Sequence, residues 1–465
     1  MNSPSNSLSY EQDRVSFAEA TRVWMRIAAL SFGGPAGQIA VMHRILVEEK
    51  RWIGESRFLH ALNYCMLLPG PEAMQLATYF GWLLHGVRGG LVAGCLFVLP
   101  GFLSILALSV LYASFQEATL VQALFFGIKA AVLAIVIEAL LRIGKRALKT
   151  WPMYLIAASA FVAIFVFDAP FPLIIAMAAL VGFLGGRFDP GRFLVIKAHE
   201  TPDDEKDSST DAVLEAGDSD RIQPTWRGAL RTALTWGSLW AAPIIALLLL
   251  VGPDHVFTEL AVFFSKLAVV TFGGAYAVLA YMAQEAVQTY GWLAPGEILD
   301  GLGMAETTPG PLIQVVQFVG FLGGYRDAGM MGPVASGVVA SVIVTWVTFA
   351  PCFLWIFLGA PFIEKLRGVK LLTAALSAVT AAVVGVILNL AIWFALHVVF
   401  ARLDEVSGYG ASLLVPDISS IDIASVVIAA AALVAMLRFK VGMLTVLLVS
   451  AAVGAAYYLG LATTI

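Results

Sequence analysis

Thirteen apolar runs alternate with polar connections along the 465-residue chain, near 22–43, 61–84, 90–112, 120–141, 152–167, 171–186, 233–252, 258–282, 299–323, 333–358, 372–399, 421–437 and 441–461. An α-helix needs about 20 apolar residues to cross a bilayer, so the pattern predicts an all-α polytopic bundle of about thirteen transmembrane spans. One polar stretch is longer than the rest. Residues 198–222, from His199-Glu200 to Asp218-Ser219-Asp220, are rich in Asp, Glu and Ser and nearly free of aromatics, which predicts a disordered cytoplasmic linker.

Gly and Pro interrupt several runs in matching places. Ser31-Phe32-Gly33-Gly34, Trp52 and Pro69-Gly70-Pro71 recur as Thr271-Phe272-Gly273-Gly274, Trp292 and Pro309-Gly310-Pro311, at a constant offset of 240. Past Pro-Gly-Pro the copies slip by one, pairing Gln75 with Gln314. After an insertion near 325–336, Pro100 pairs with Pro351 and Lys129 with Thr380. The chain is read as a duplicated unit: an N-terminal repeat over 1–190, a linker over 191–230, an adaptor span over 231–256 and a C-terminal repeat over 257–465. Seven crossings separate the starts of the copies, so they enter the membrane from opposite sides as inverted-topology repeats.

Composition narrows the class. Hydrophobic residues are 60% of the chain and charged residues 13%, more apolar surface than a soluble domain of this size can bury. The net charge of -4 is too small to point to nucleic acid. Cys65, Cys95 and Cys352 lie in apolar segments without metal-ligand spacing and read as small buried hydrophobes. The six histidines form no motif, no nucleotide-binding loop is present, and neither metal nor other cofactor is expected. The polar N-terminus, Met1 to Phe17, has no signal-peptide core. With that N-terminus inside, the inner side holds 19 basic residues against six outside (Arg44, Lys50, Arg51, Arg57, Arg326 and Arg402), an inside-positive bias that puts the C-terminus outside. The stretch 44–60 is oddly basic for an outer loop, and a re-entrant element is the alternative reading there.

The duplicated breaks carry the candidate chemistry. Proline removes a backbone donor and clashes with the preceding turn, so Pro-Gly-Pro at mid-span should unwind the helix. Unwound backbone survives at membrane depth only where it is buried in protein or lines a watery cavity. Helices restarting after Pro71 and Pro311 point free N–H groups at such a cavity and favour an anion. Gln75 and Gln314 add amide donors. Arg26, Lys129 and Lys266 fall within spans, at a cost of about 2.5–3.5 kcal/mol each at a helix centre, and should face a partner or a polar cavity. Glu138 and Glu72 are the expected countercharges of Lys129, and Glu306 precedes the second Pro-Gly-Pro. The candidate substrate-binding set is therefore Gly33, Gly34, Pro69, Gly70, Pro71, Gln75, Lys129, Gly273, Gly274, Pro309, Gly310, Pro311, Gln314, Lys266 and Arg26, with Glu72, Glu306 and Glu138 as proton- or charge-coupling candidates. Fixed positive charge with helix N-termini suits an oxyanion. It suits a metal cation poorly.

At these residues the chain resembles the chromate ion transporter family in its long, two-domain form. The resemblance rests on Ser31-Phe32-Gly33-Gly34-Pro35, Trp52, Leu68-Pro69-Gly70-Pro71 with Gln75, and their counterparts at 271–274, 292, 309–311 and 314. It implies export of chromate from the bacterial cytoplasm across the inner membrane, with sulfate as competitor and chromate resistance as outcome. Ala275 stands where the first copy has Pro35, so the first half is expected to be the main ligand supplier. The alternative is a proton-coupled importer of sulfate or another tetrahedral oxyanion. The other partners expected are the lipid bilayer and, as an assembly this reading accommodates, a second copy in a homodimer.

Overall fold

The structure, a computed structural model, describes residues 15–194, 225–272, 275–362, 370–408 and 411–462. The acidic linker at 198–222 and the pair Gly273-Gly274 lie outside the described residues. The N-terminal half folds as α1 (Phe17–Leu30), α2 (Gly34–His43), α3 (Glu55–Cys65), α4 (Glu72–Phe115), α5 (Thr119–Ala147), α6 (Trp151–Phe167), α7 (Phe171–Phe188) and the single turn α8 (Pro190–Phe193). The adaptor is α9 (Trp226–Leu250). The second half comprises α10 (Val256–Val270), α11 (Ala275–Gln284), α12 (Glu297–Thr307), α13 (Val315–Arg326), α14 (Pro333–Gly359), α15 (Lys370–Val399), α16 (Ile423–Phe439) and α17 (Met443–Ala462). Both α2 and α11 end in a π-helical turn, Arg44–Glu49 and Glu285–Thr289. The expected helical bundle is present. Among the described residues the sheet is one antiparallel hairpin, β1 (Leu403–Gly408) with β2 (Ala411–Pro416), in the stretch read as an outer loop.

The thirteen apolar runs do not fold as thirteen unbroken helices. Among the described residues, seven helices are long and apolar enough to cross a membrane, and α6 and α16 are shorter apolar helices. Four predicted spans are instead broken elements that turn back. Run 22–43 splits into α1 and α2, and Lys50, just past α2, reaches Glu19 at the start of α1 at 2.8 Å. In the second pair, Phe58 of α3 stacks on Phe80 of α4 with ring centroids 5.3 Å apart. The first limb of α4 ends at His85-Gly86, whose backbone is non-helical, and the imidazole of His85 lies 2.8 Å from the Val15 carbonyl before α1. The start of α1, the 49–51 turn and the end of this limb thus share one end of the bundle. The second half repeats the pattern: Phe263 of α10 packs on Tyr290 past α11 (5.4 Å), and Arg326 at the end of α13 pairs with Glu297 at the start of α12 (2.7 Å).

The second pair of hairpins opens at the other end. After Gly86, α4 continues to Phe115, a rise of about 43 Å at 1.5 Å per residue. At its far end the Tyr325 hydroxyl of α13 donates to the Ala113 carbonyl at 3.5 Å. Long helices wall the four hairpins. Small residues let them approach: Gly127 of α5 and Gly454 of α17 meet with no room for a Cβ on either. The adaptor α9 buries no residue fully and lies on the outside, Trp236 stacking on Phe353 of α14 at 5.5 Å. Cys65 and Cys352 are buried as expected, whereas Cys95 is exposed on α4.

Candidate functional site

The hairpin tips meet in the middle of the bundle and are hydrogen-bonded crosswise. Gly70 N–H donates to the Thr271 carbonyl at 2.8 Å, and Gly310 N–H donates to the Ser31 carbonyl at 2.9 Å. Each second break of one half thus closes on the first break of the other. The glycines are required because φ is +119° at Gly70 and +107° at Gly310, a region that Cβ-bearing residues avoid. Ser31 and Thr271 each turn their hydroxyl back onto the carbonyl four residues earlier, Ile27 and Leu267, satisfying acceptors that the broken helices would leave open. The paired prolines also place the walls. Beyond Pro100, Gly101 packs against Pro309-Gly310, and beyond Pro351, the Cys352 thiol packs against Gly70.

Between the tips is a cavity lined by Pro35 and Gln38, Pro71-Glu72-Ala73, Thr271 and Ala275, and Pro311-Leu312-Ile313. Four helix starts converge on it: α2, α4, α11 and the 3₁₀ turn Leu312–Gln314 that leads into α13. Unsatisfied N–H groups and aligned peptide dipoles make such starts attractive to anions. The Gln38 amide donates to the Gly310 carbonyl at 2.5 Å; at the 240 offset its counterpart is Val278, so the two halves contribute unequally. The cavity volume is about 10 Å³, room for about one water.

The predicted residues divide between this junction and other places. Gly70, Gly310, Pro71 and Pro311 form it with Pro69 and Pro309, and Glu72 lies on its wall. Gly33 and Gly34 adopt left-handed φ of 85° and 69° at the α1–α2 break and open onto free space. The Gln75 amide donates to the Pro69 carbonyl at 2.7 Å, bracing its own break, and Gln314 donates to Gln317 (2.6 Å) and Thr345 (3.3 Å). None of the three intramembrane cations lines the cavity. Arg26 forms an exposed pair with Glu49 (2.6 Å), and Lys266 is exposed on α10. The countercharge expected for Lys129 is corrected: it is Asp300 of α12, at 3.2 Å, whereas Glu138 lies 3.6 Å from Arg142 on its own helix. The positive character of the junction therefore comes from backbone.

Sequence reasoning missed Asp300 because it sits at the edge of an apolar run, where a charge looks like a loop residue. Its carboxylate is 2% exposed; one oxygen accepts from the Tyr112 hydroxyl at 2.8 Å and the other has no partner. Glu306, also on α12 and 2% exposed, is bound in the same way by Tyr276 at 2.6 Å. Tyr276→Phe strips Glu306 of this bond and is expected to lower stability by about 1–3 kcal/mol, the cost of an unsatisfied buried polar group; thermal unfolding of the purified protein measures it. A second, larger cavity of about 430 Å³ opens between α6, α11 and α15, lined by Asp168, Gln284, Gln288, Asn389, Trp393 and Glu405 among others. Partial burial pushes the Asp168 carboxyl up, against the lowering effect of its bond from Gln284.

The profile of the family described as Chromate transporter matches residues 18–183 and 258–455. The chromate transport protein of Pseudomonas aeruginosa is 32% identical over 381 residues, covering 80% of each chain. The probable chromate transport protein of Synechococcus elongatus is 27% identical over 387 residues, 82% of this chain and 86% of the relative. An uncharacterized transporter of Methanocaldococcus jannaschii is 26% identical over 376 residues. No solved structure matches. A profile covering most of both halves, on a bundle of long apolar helices, makes this an integral membrane protein that belongs to the chromate transporter family.

Proposed function

We propose that this protein exports chromate from the bacterial cytoplasm by alternating access at the junction of the four breaks, driven by membrane potential, and that chromate resistance follows. The observation that carries the reading is the convergence of four helix starts on one buried cavity, a site for an oxyanion made from peptide dipoles. Sulfate, of the same shape and charge, is the expected competitor. The two halves act as inverted repeats, each contributing two re-entrant hairpins, and nine helices cross the membrane. The odd number keeps the N-terminus in the cytoplasm and the C-terminus in the periplasm. Arg44, Lys50, Arg51 and Arg57 then join the cytoplasmic side, leaving Arg326 and Arg402 outside, which strengthens the inside-positive bias.

A cavity with room for one water has to widen before an oxyanion fits. Rocking of one set of hairpins against the other breaks the crossed Gly70–Thr271 and Gly310–Ser31 bonds and bares their N–H and carbonyl groups. Moving one charge through 100 mV is worth about 2.3 kcal/mol, so a dianion leaving an inside-negative cell gains up to about 4.6 kcal/mol. Everted vesicles given an inside-positive potential are therefore expected to accumulate chromate, measured as radiolabel retained on filters. Uptake indifferent to the imposed potential overturns the proposal.

A further inference from the structure

The cavity wall holds a negative charge where the proposed substrate is negative. Among the described residues lining it, Glu72 is the one ionisable side chain. It is the first residue of α4, between Pro71 and Ala73, which line the same wall. No ion pair joins it to a cation among the described residues. The facing elements offer Gln38 from α2, Thr271 at the end of α10, Ala275 at the start of α11, and Leu312-Ile313 before α13, none of them charged. On another element, the buried Cys65 thiol of α3 lies within reach of the Glu72 charge. The Glu72 carboxyl group thus shares the cavity wall with the converging helix starts.

A dianion arriving at the same helix starts meets this carboxylate at contact range, and a like charge there favours the neutral carboxylic acid. Once protonated, the group is no longer a competitor: it gains an O–H donor and can hydrogen-bond an oxyanion oxygen. We propose, resting on the export reading above, that Glu72 carries one proton with each oxyanion, ionised in the empty cavity and protonated against substrate in the loaded one. The balance is simple. Two negative charges and one proton cross together, so each cycle moves one net charge. Because loading takes up a proton, apparent affinity rises as pH falls, by tenfold per unit where Glu72 is ionised empty and protonated loaded. Glu306 and Glu138 are held elsewhere, by Tyr276 and beside Arg142, and do not line the cavity.

The test uses the purified full chain in liposomes, with chromate flux, membrane charge and internal pH followed together. The wild type is expected to move one charge and one proton per chromate. Glu72→Gln, fixed in the neutral state, is expected to move two charges and no proton, with flux insensitive to pH. Two charges without a proton in the wild type overturn the inference. So does a one-to-one proton ratio retained by Glu72→Gln, because the proton then rides on chromate itself. Should Glu72→Gln carry no flux, calorimetric chromate binding in buffers of different ionisation heat decides: proton uptake by the wild type and none by the variant supports the inference, and equal uptake overturns it. Absence of any chromate flux from wild-type vesicles overturns the transport reading and this inference with it.

Discussion

Gly310→Ala is expected to abolish chromate transport and to destabilise the protein by about 3 kcal/mol or more. Two costs add. At φ +107° an alanine is strained by about 1–3 kcal/mol. Its Cβ would also sit 3.1 Å from the Gly101 Cα and 3.2 Å from the Gly101 nitrogen, both backbone atoms, and overpacking of that kind costs a further 1–3 kcal/mol or so. Relieving the clash moves the tip away from Ser31, whose carbonyl accepts the Gly310 N–H. Gly33→Ala is the control. It shares a positive φ, but its Cβ enters open space, so only the strain term applies. Thermal unfolding and export assays at matched expression should rank the two variants clearly. Equal stability of Gly310→Ala and wild type would mean that the tips do not meet as described.

Lys129→Met is expected to have the second largest effect, a loss of about 3 kcal/mol, because it strands the Asp300 carboxylate in the bundle without its cation. The figure is the lower end for broken buried pairs, since Lys129 remains 34% exposed. Asp300→Asn should cost less, keeping the Tyr112 bond and leaving the cation where solvent reaches it. Joined as K129M/D300N, the changes should recover much of the stability lost by Lys129→Met alone, a non-additivity that a double-mutant cycle measures. This pair ties α12, which leads into the second Pro-Gly-Pro break, to α5 of the other half. Restored stability without restored export in the double variant would separate the charge needed for transport from the charge needed for folding. Simple additivity would show that the two side chains are not coupled.

The duplicated glycine–proline breaks were legible from composition and spacing because backbone chemistry is local: glycine at positive φ and proline without an N–H break a helix wherever they stand. The path of each interrupted run was not. A hydropathy run registers how apolar a segment is and is blind to whether its two ends emerge on the same side, so runs 22–43, 61–84, 258–282 and 299–323 read as spans. The basic stretch at 44–60 was the visible sign of a turn there, since Lys50 pairs with Glu19 at the start of α1. Charge partners were also out of reach. Lys129 and Asp300 are 171 positions apart and meet only because the halves interlock, whereas Glu138 was near in sequence and is bound to its own helix.

The sequence by itself determined that this chain is a membrane-embedded helical protein, and where glycine and proline interrupt its helices. Those properties follow from residue chemistry that acts over a few positions. Only the tertiary structure decided that the interruptions are hairpin tips clasped across the two halves, that four helix starts rather than lysine and arginine side chains line the cavity, and that Glu72 shares its wall. Such facts depend on which distant segments pack together, and packing is settled by the shapes of whole helices, which no local pattern of apolar and polar residues encodes.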